Sequence, residues 1–125
     1  LTSEQKAFVE KVVEGEYGGD SDGCLLIAQC IRDALVDGRC TDPMKIRKSV
    51  SEGGLGYDGY KDNASQMAKD AVTKIFDQGM YAVKYKIRYM CTESYFKGNP
   101  DDFRHNLPLV LKYNGITGTV YFFGD

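Results

Sequence analysis

The sequence predicts an α+β fold, in which a mainly helical body carries a small antiparallel β-sheet. Apolar residues recur at helical spacing up to about residue 79, and from Val83 onward the period changes to two. Near the end of the chain, the turn signal Asn114-Gly115 separates two further apolar runs. At 125 residues the chain fits a single domain, 1–125, that is long enough to bury a core.

The first predicted helix begins after Thr2 and ends at Gly18-Gly19. Thr2 and Gln5 have the spacing of a capping box, and glycines are typical of helix ends. Its core face is predicted to consist of Phe8, Val9, Val12 and Val13.

Glu16 falls where the next core residue of this stripe is expected. Partial burial and the negative end of the helix dipole both disfavour a charged carboxyl group, so we expect a raised pKa. A raised carboxyl pKa is what a general acid needs.

The second predicted helix is capped by Asp20, Ser21 or Asp22 and runs to about Val36. It is apolar nearly all round, which predicts the buried central helix of the domain. Asp42-Pro43 then predicts a short helix with Ile46 and Val50 on one side.

Residues 52–60 carry four glycines and two tyrosines, which predicts an irregular loop. Asp62 is expected to cap the next helix, which ends at Gly79. Alternation predicts a strand over residues 83–91, and a hairpin is predicted from residues 107–113 and 119–123 with Asn114-Gly115 in its turn. The apolar stripe of the helix that Asp62 is expected to cap is Ala64, Met67, Ala68, Ala71, Val72, Ile75 and Phe76.

The composition argues against several classes of partner. Sixteen Lys and Arg against 18 Asp and Glu give a net charge of -2 without a basic block, so nucleic acid is not expected. No apolar run approaches the ~20 residues of a membrane span, and a targeting leader is expected to be absent or removed. Four cysteines without a Cys-x-x-Cys pair, together with one histidine, predict buried free thiols and no metal or cofactor.

The segment Val13-Glu14-Gly15-Glu16, the glycine Gly23 at the start of the buried helix, and residues 116–122 (Ile-Thr-Gly-Thr-Val-Tyr-Phe) resemble the spore cortex-lytic, or cell wall hydrolase, family. The resemblance extends roughly from Phe8 to Phe123. It implies a lysozyme-like domain that cleaves the glycan strands of peptidoglycan, as a lytic transglycosylase or a hydrolase, with Glu16 as the catalytic acid. It also implies a protein that is secreted, lies in the cell envelope, or is a phage-derived lysin.

Several tyrosines are candidates for sugar binding, because their rings stack on sugar faces and their hydroxyls form hydrogen bonds. Tyr57 and Tyr60 lie on the glycine-rich loop, which is expected to move when sugar binds. Asp20 is a further candidate, with helix capping as its alternative role. The candidate set is Tyr57, Tyr60, Tyr89, Tyr95 and Asp20.

Two other functions stay open. Cys24 near a helix start and His105 downstream are the residue types of a cell-wall cysteine peptidase. A non-catalytic glycan-binding or virion module is the other alternative, because Tyr17 follows Glu16 where the resembling family usually has a small residue.

Overall fold

The computed structural model describes residues 1–124, which form four α-helices and a three-stranded antiparallel sheet. The predicted α+β class is confirmed. Short 3₁₀ turns occupy Pro43–Lys45, Val50–Glu52 and Phe103–Asn106, and a π-helical turn, Thr73–Asp77, extends the third helix. The elements are α1 (Ser3–Tyr17), α2 (Ser21–Val36), α3 (Gln66–Val72), α4 (Glu93–Gly98), β1 (Tyr89–Thr92), β2 (Leu109–Gly115) and β3 (Gly118–Phe123).

Helix α2 lies at the centre of the core, as predicted, and packs against α1 and α3. Its residues Leu26, Ile27 and Ile31 are at most 4% exposed. The capping box at the start of α1 is present, because the Gln5 N–H donates to the Thr2 hydroxyl and the Gln5 side chain accepts from the Thr2 N–H. No helix within residues 1–124 combines the length and apolar character needed to cross a bilayer.

Strand β3 is the middle strand of the sheet, between β1 and β2. Its residues Val120 and Phe122 belong to the main helical core. On the other face, Tyr121 and Phe123 form a second apolar cluster with Phe96 of α4. Both faces of β3 are therefore covered, which explains its continuous run of buried residues.

The hairpin is present, but Asn114 and Gly115 belong to β2 and not to the turn as predicted. Gly115 pairs with Gly118, so the loop consists of Ile116 and Thr117. Gly115 is instead needed for a close approach: a Cβ atom there would lie 1.8 Å from the Tyr17 hydroxyl oxygen. The need for a glycine at position 115 is therefore explained by its contact with α1 and not by a turn.

The prediction of a strand over residues 83–91 is mostly wrong, because the strand spans only Tyr89–Thr92. The preceding backbone is bonded to buried polar side chains of α2. Gln29 accepts from the N–H of Ala82 at 2.7 Å, and Asp33 accepts from the N–H of Ile87 at 3.0 Å. These side chains satisfy the backbone in place of a neighbouring strand.

Two helix predictions also need correction. The cap of α3 is Ser65 rather than Asp62, and the Ser65 N–H donates to Glu14 Oε1 at 2.8 Å. The helix predicted after Asp42-Pro43 is a single 3₁₀ turn, Pro43–Lys45. Ile46 is buried as expected, but Val50 is 68% exposed, because the backbone does not continue as a helix between them.

Candidate functional site

Glu16 lies in the last turn of α1, where the loop over residues 53–60 crosses the helix. Two glycines permit the crossing: a Cβ atom on Gly15 would lie 1.9 Å from the Tyr60 nitrogen, and one on Gly59 would lie 2.5 Å from the Glu16 nitrogen. The close approach lets the Gly59 N–H donate to Glu16 Oε1 at 2.6 Å. Gly15 and Gly59 therefore hold the Glu16 carboxyl group at a defined position.

The pKa of Glu16 is raised, mainly because burial disfavours its charged form. The nearby Asp58 carboxylate raises the pKa further. The N–H groups of Gly59 and Asp58 and the Arg47 guanidinium stabilise the charged form and act in the opposite direction, but burial outweighs them. The predicted upward shift is confirmed.

The Glu16 carboxyl group faces a cleft of about 270 Å³. The cleft lies between the loop over residues 53–60 and the chain that forms β1. Further lining comes from the turn after α2, from α4 and from the last 3₁₀ turn. Its lining residues are Glu16, Arg39, Leu55, Gly56, Tyr57, Asp58, Arg88, Tyr89, Met90, Cys91, Thr92, Tyr95 and Arg104.

Tyr89 and Tyr95 reach this cleft together with Glu16, as candidates for sugar contacts should. Tyr95 is 48% exposed. Tyr89 is half-buried, with the Arg39 guanidinium 3.7 Å from its ring centroid and the Phe103 ring at its edge. Accessible aromatic rings beside a half-buried acid can stack on a sugar ring while the acid reaches a glycosidic bond.

Tyr57 also lines the cleft, but it is only 9% exposed. Its hydroxyl donates to the Cys30 sulfur of α2 at 3.4 Å, and burial raises the pKa of Tyr57 well above its usual value. The side chain anchors the loop in the core. Movement of the loop on sugar binding, and contact of Tyr57 with sugar, stay predictions.

Tyr60 lies outside the cleft lining. Its ring packs against Phe8 with a centroid distance of 5.9 Å, and the Arg47 guanidinium lies 4.8 Å from its ring centroid. Arg47 also donates to the Asp58 carbonyl oxygen at 3.2 Å. Tyr60 therefore braces the loop against α1, and its assignment as a sugar contact stays a prediction.

Asp20 caps α2 and holds the β2–β3 hairpin. Its Oδ1 accepts from the Gly23 N–H and from the Tyr113 hydroxyl, both at 2.6 Å, and its Oδ2 accepts from the Ile116 N–H at 3.3 Å. Burial by itself would raise the pKa of Asp20, but these hydrogen bonds outweigh it and lower the pKa. The capping role of Asp20 is confirmed. Asp20 does not line the cleft, and its assignment as a substrate contact stays a prediction.

Tyr17 also points away from the cleft. Its hydroxyl donates to the Gly118 carbonyl oxygen at 3.1 Å and accepts from the Thr117 N–H at 3.3 Å. A Cβ atom on Gly23 would lie 2.2 Å from the Tyr17 ring, so a glycine is needed there. The large residue after Glu16 therefore joins α1 to the hairpin and leaves the cleft open.

The pair proposed for a cysteine peptidase has the wrong environment. The Cys24 thiol is buried and donates to the Tyr17 carbonyl oxygen, and burial raises its pKa to about 11. A nucleophilic thiol requires a lowered pKa. The exposed His105 ring stacks on Phe96, and its Nε2 lies 2.9 Å from the Phe96 carbonyl oxygen rather than near a thiol.

All four cysteines are free and buried, as predicted. Within residues 1–124, no group of three or more His, Cys, Asp or Glu side chains is arranged to hold a metal ion.

Apart from Glu16, the charged residues of the cleft are not predicted from the sequence. Asp58 directly follows Tyr57 in the glycine-rich loop, and this position is the one sequence signal that could have indicated it. Arg39, Arg88 and Arg104 come from three separate segments of the chain. No local pattern could have indicated that they meet.

Comparisons with protein-family models, with curated proteins and with solved structures give no match for this chain. The functional conclusion therefore depends on the geometry and chemistry of the cleft.

Proposed function

We propose that this protein cleaves the glycan strands of peptidoglycan, with Glu16 as the acid that protonates the leaving glycosidic oxygen. The observation that supports this most strongly is a half-buried carboxyl group of raised pKa at the edge of an open cleft. A general acid has to be protonated before it acts, and burial shifts the pKa of Glu16 in the direction that favours the protonated form. The resemblance of the surrounding sequence to cell wall hydrolases supports the same substrate.

The proposed reaction is a lytic transglycosylation. Glu16 gives its proton to the bridging oxygen as the bond from that oxygen to the sugar C1 breaks, and the N-acetyl carbonyl of the same sugar stabilises the positive charge at C1. The Glu16 carboxylate then takes the proton of the C6 hydroxyl, whose oxygen bonds to C1. The product is a 1,6-anhydro sugar, no water is consumed, and Glu16 is protonated again.

Asp58 is the second carboxyl group of the cleft, and its side chain is exposed. Hydrolysis with two carboxyl groups would need it as a base or a nucleophile. In the single-acid reaction, Asp58 supplies only negative charge, which raises the pKa of Glu16 and favours a cationic sugar. Replacing Asp58 by asparagine separates these roles.

The test is mass spectrometry of the muropeptides that are released from purified peptidoglycan. Glu16→Gln is expected to reduce release by more than about 100-fold, because a positioned acid–base group is lost while the Gly59 N–H keeps an acceptor. Asp58→Asn is expected to retain most of the activity. The wild-type products should end in 1,6-anhydro-muramic acid, lighter by one water than hydrolysis products.

Each alternative has its own outcome. Wild-type rates from Glu16→Gln would refute the proposal. Reducing-end products that depend on both Glu16 and Asp58 would indicate hydrolysis, and glycan binding without any release would indicate a binding module. Cys24→Ala is the control for peptidase activity. If the wild type cleaves stem peptides and this variant does not, a cysteine peptidase with Cys24 as its nucleophile would be favoured.

Such an activity would place the protein where peptidoglycan is accessible, as a secreted or cell-envelope enzyme or as a phage-derived lysin.

A further inference from the structure

Arg39 is delivered to the cleft by the way α2 ends. Gly38 has a left-handed φ of 78°, and its N–H donates to the Leu35 carbonyl oxygen, while the Arg39 N–H donates to the Ala34 carbonyl oxygen. This is a Schellman-type helix end, in which a glycine reverses the chain. The reversal turns Arg39 back from the axis of α2 towards β1.

The Arg39 guanidinium is held in one orientation. It lies 3.7 Å from the centroid of the Tyr89 ring, and its Nη1 donates to the Arg88 carbonyl oxygen. A planar cation stacked on an aromatic ring loses little further freedom when it binds a ligand. The remaining N–H groups of the guanidinium are suited to a carboxylate, which such a group can bind through two hydrogen bonds.

Among residues 1–124, no acidic side chain balances the charge of Arg39. Arg88 pairs with Asp37, and Arg104 pairs with Asp102 at 2.9 Å. Across residues 1–124, no carboxylate lies within ion-pair distance of Arg39. A half-buried arginine of this kind on the wall of an open cleft is a site for an anion.

Arg39 and Glu16 line the same cleft, and Tyr57 is a third residue of its lining. A glycan bound along this cleft can therefore contact both Glu16 and Arg39.

We propose that Arg39 binds a carboxylate of the substrate, so that the cleft selects carboxylate-bearing glycans of the muramyl type over neutral N-acetylglucosamine polymers. The choice of a glycan rests on the proposed function, whereas the anion site rests on the arginine itself. Two carboxylates of such a glycan have the required chemistry: the lactyl group of a peptide-free muramic acid and the free carboxylates of a stem peptide.

The test measures binding in the Glu16→Gln background, by isothermal titration calorimetry, so that turnover does not interfere. The probes are neutral chitotetraose, a peptide-free tetrasaccharide of alternating N-acetylglucosamine and N-acetylmuramic acid, and the same tetrasaccharide carrying dipeptide stems. Arg39→Gln is expected to weaken binding of a carboxylate probe by about tenfold or more and to leave chitotetraose binding unchanged. Added salt should weaken carboxylate binding to the arginine-containing protein and have little effect on the Arg39→Gln protein.

Arg47→Gln is the matched control. Arg47 makes the same kinds of contact, a tyrosine ring and a backbone carbonyl oxygen, but does not line the cleft. It is expected to leave the preference for carboxylate probes unchanged.

The probe that loses affinity on Arg39→Gln identifies the source of the carboxylate, the lactyl group or the stem peptide, and either result supports the proposal. An equal loss for chitotetraose and the carboxylate probes would show that Arg39 only shapes the cleft and would overturn it. Absence of binding to both carboxylate probes would overturn it as well. Failure of glycan cleavage is seen separately, in the muropeptide assay, and leaves the binding comparison intact.

Discussion

Replacing Gly15 by alanine tests whether the crossing of α1 and the loop positions Glu16, because two effects of opposite sign compete. Within a helix, Gly→Ala stabilises by about 1 kcal/mol, since alanine loses less backbone entropy on folding. At the crossing, the new Cβ atom would lie 1.9 Å from the Tyr60 nitrogen and 2.5 Å from the Gly59 carbonyl carbon. Both are backbone atoms, so the loop has to withdraw by about 1.5 Å to reach ordinary contact.

Overpacking of this kind costs about 1–3 kcal/mol, which equals or exceeds the gain in helix propensity. We therefore expect Gly15→Ala to lower the free energy of unfolding by about 1 kcal/mol instead of raising it. The withdrawal also breaks the 2.6 Å hydrogen bond from the Gly59 N–H to Glu16. Since a misplacement of about 1 Å at a reacting group can cost 100-fold in rate, turnover should fall by about that factor.

The free energy of unfolding is measured by urea denaturation, and turnover by release of soluble muropeptides. Gly98→Ala provides the control, because Gly98 lies in α4 and a Cβ atom there would meet no atom within 4 Å. It should be as stable as the wild type or slightly more so, and fully active. If Gly15→Ala matched Gly98→Ala in both stability and activity, the crossing would not position Glu16.

Two further predictions concern the carboxyl groups of Glu16 and Asp20. The pKa of Glu16 is raised in the folded protein, so its contribution to stability is complete below its ordinary value of 4.5 and is lost as the pH rises through the folded pKa. The wild type should therefore lose stability relative to Glu16→Gln over that pH range. Its turnover should fall with the same titration. A stability difference that does not depend on pH would contradict a raised pKa of Glu16. Asp20→Ala removes the cap of α2 and the acceptor of the Tyr113 hydroxyl, so it should lower the free energy of unfolding by about 2 kcal/mol and leave chitotetraose affinity unchanged. Loss of that affinity at unchanged stability would return Asp20 to the binding site.

Features that depend on neighbours close along the chain could be predicted from the sequence. The capping box at Thr2, a cap among residues 20–22 and the helical spacing of apolar residues act within about four positions, and they predicted the bounds of α1 and α2. The same local pattern placed Glu16 on a buried helical stripe and predicted the direction of its pKa shift.

Features that join positions far apart in the chain depend on the packing of the folded protein and could not be predicted. The N–H that holds Glu16 comes from Gly59, and the segment after Met80 is irregular because Gln29 satisfies its backbone. Alternating side chains do not distinguish such a segment from a strand, since both leave the same pattern of buried and exposed residues. Arg39 and the other charged residues of the cleft meet through packing of separate elements, and no spacing along the chain encodes that contact.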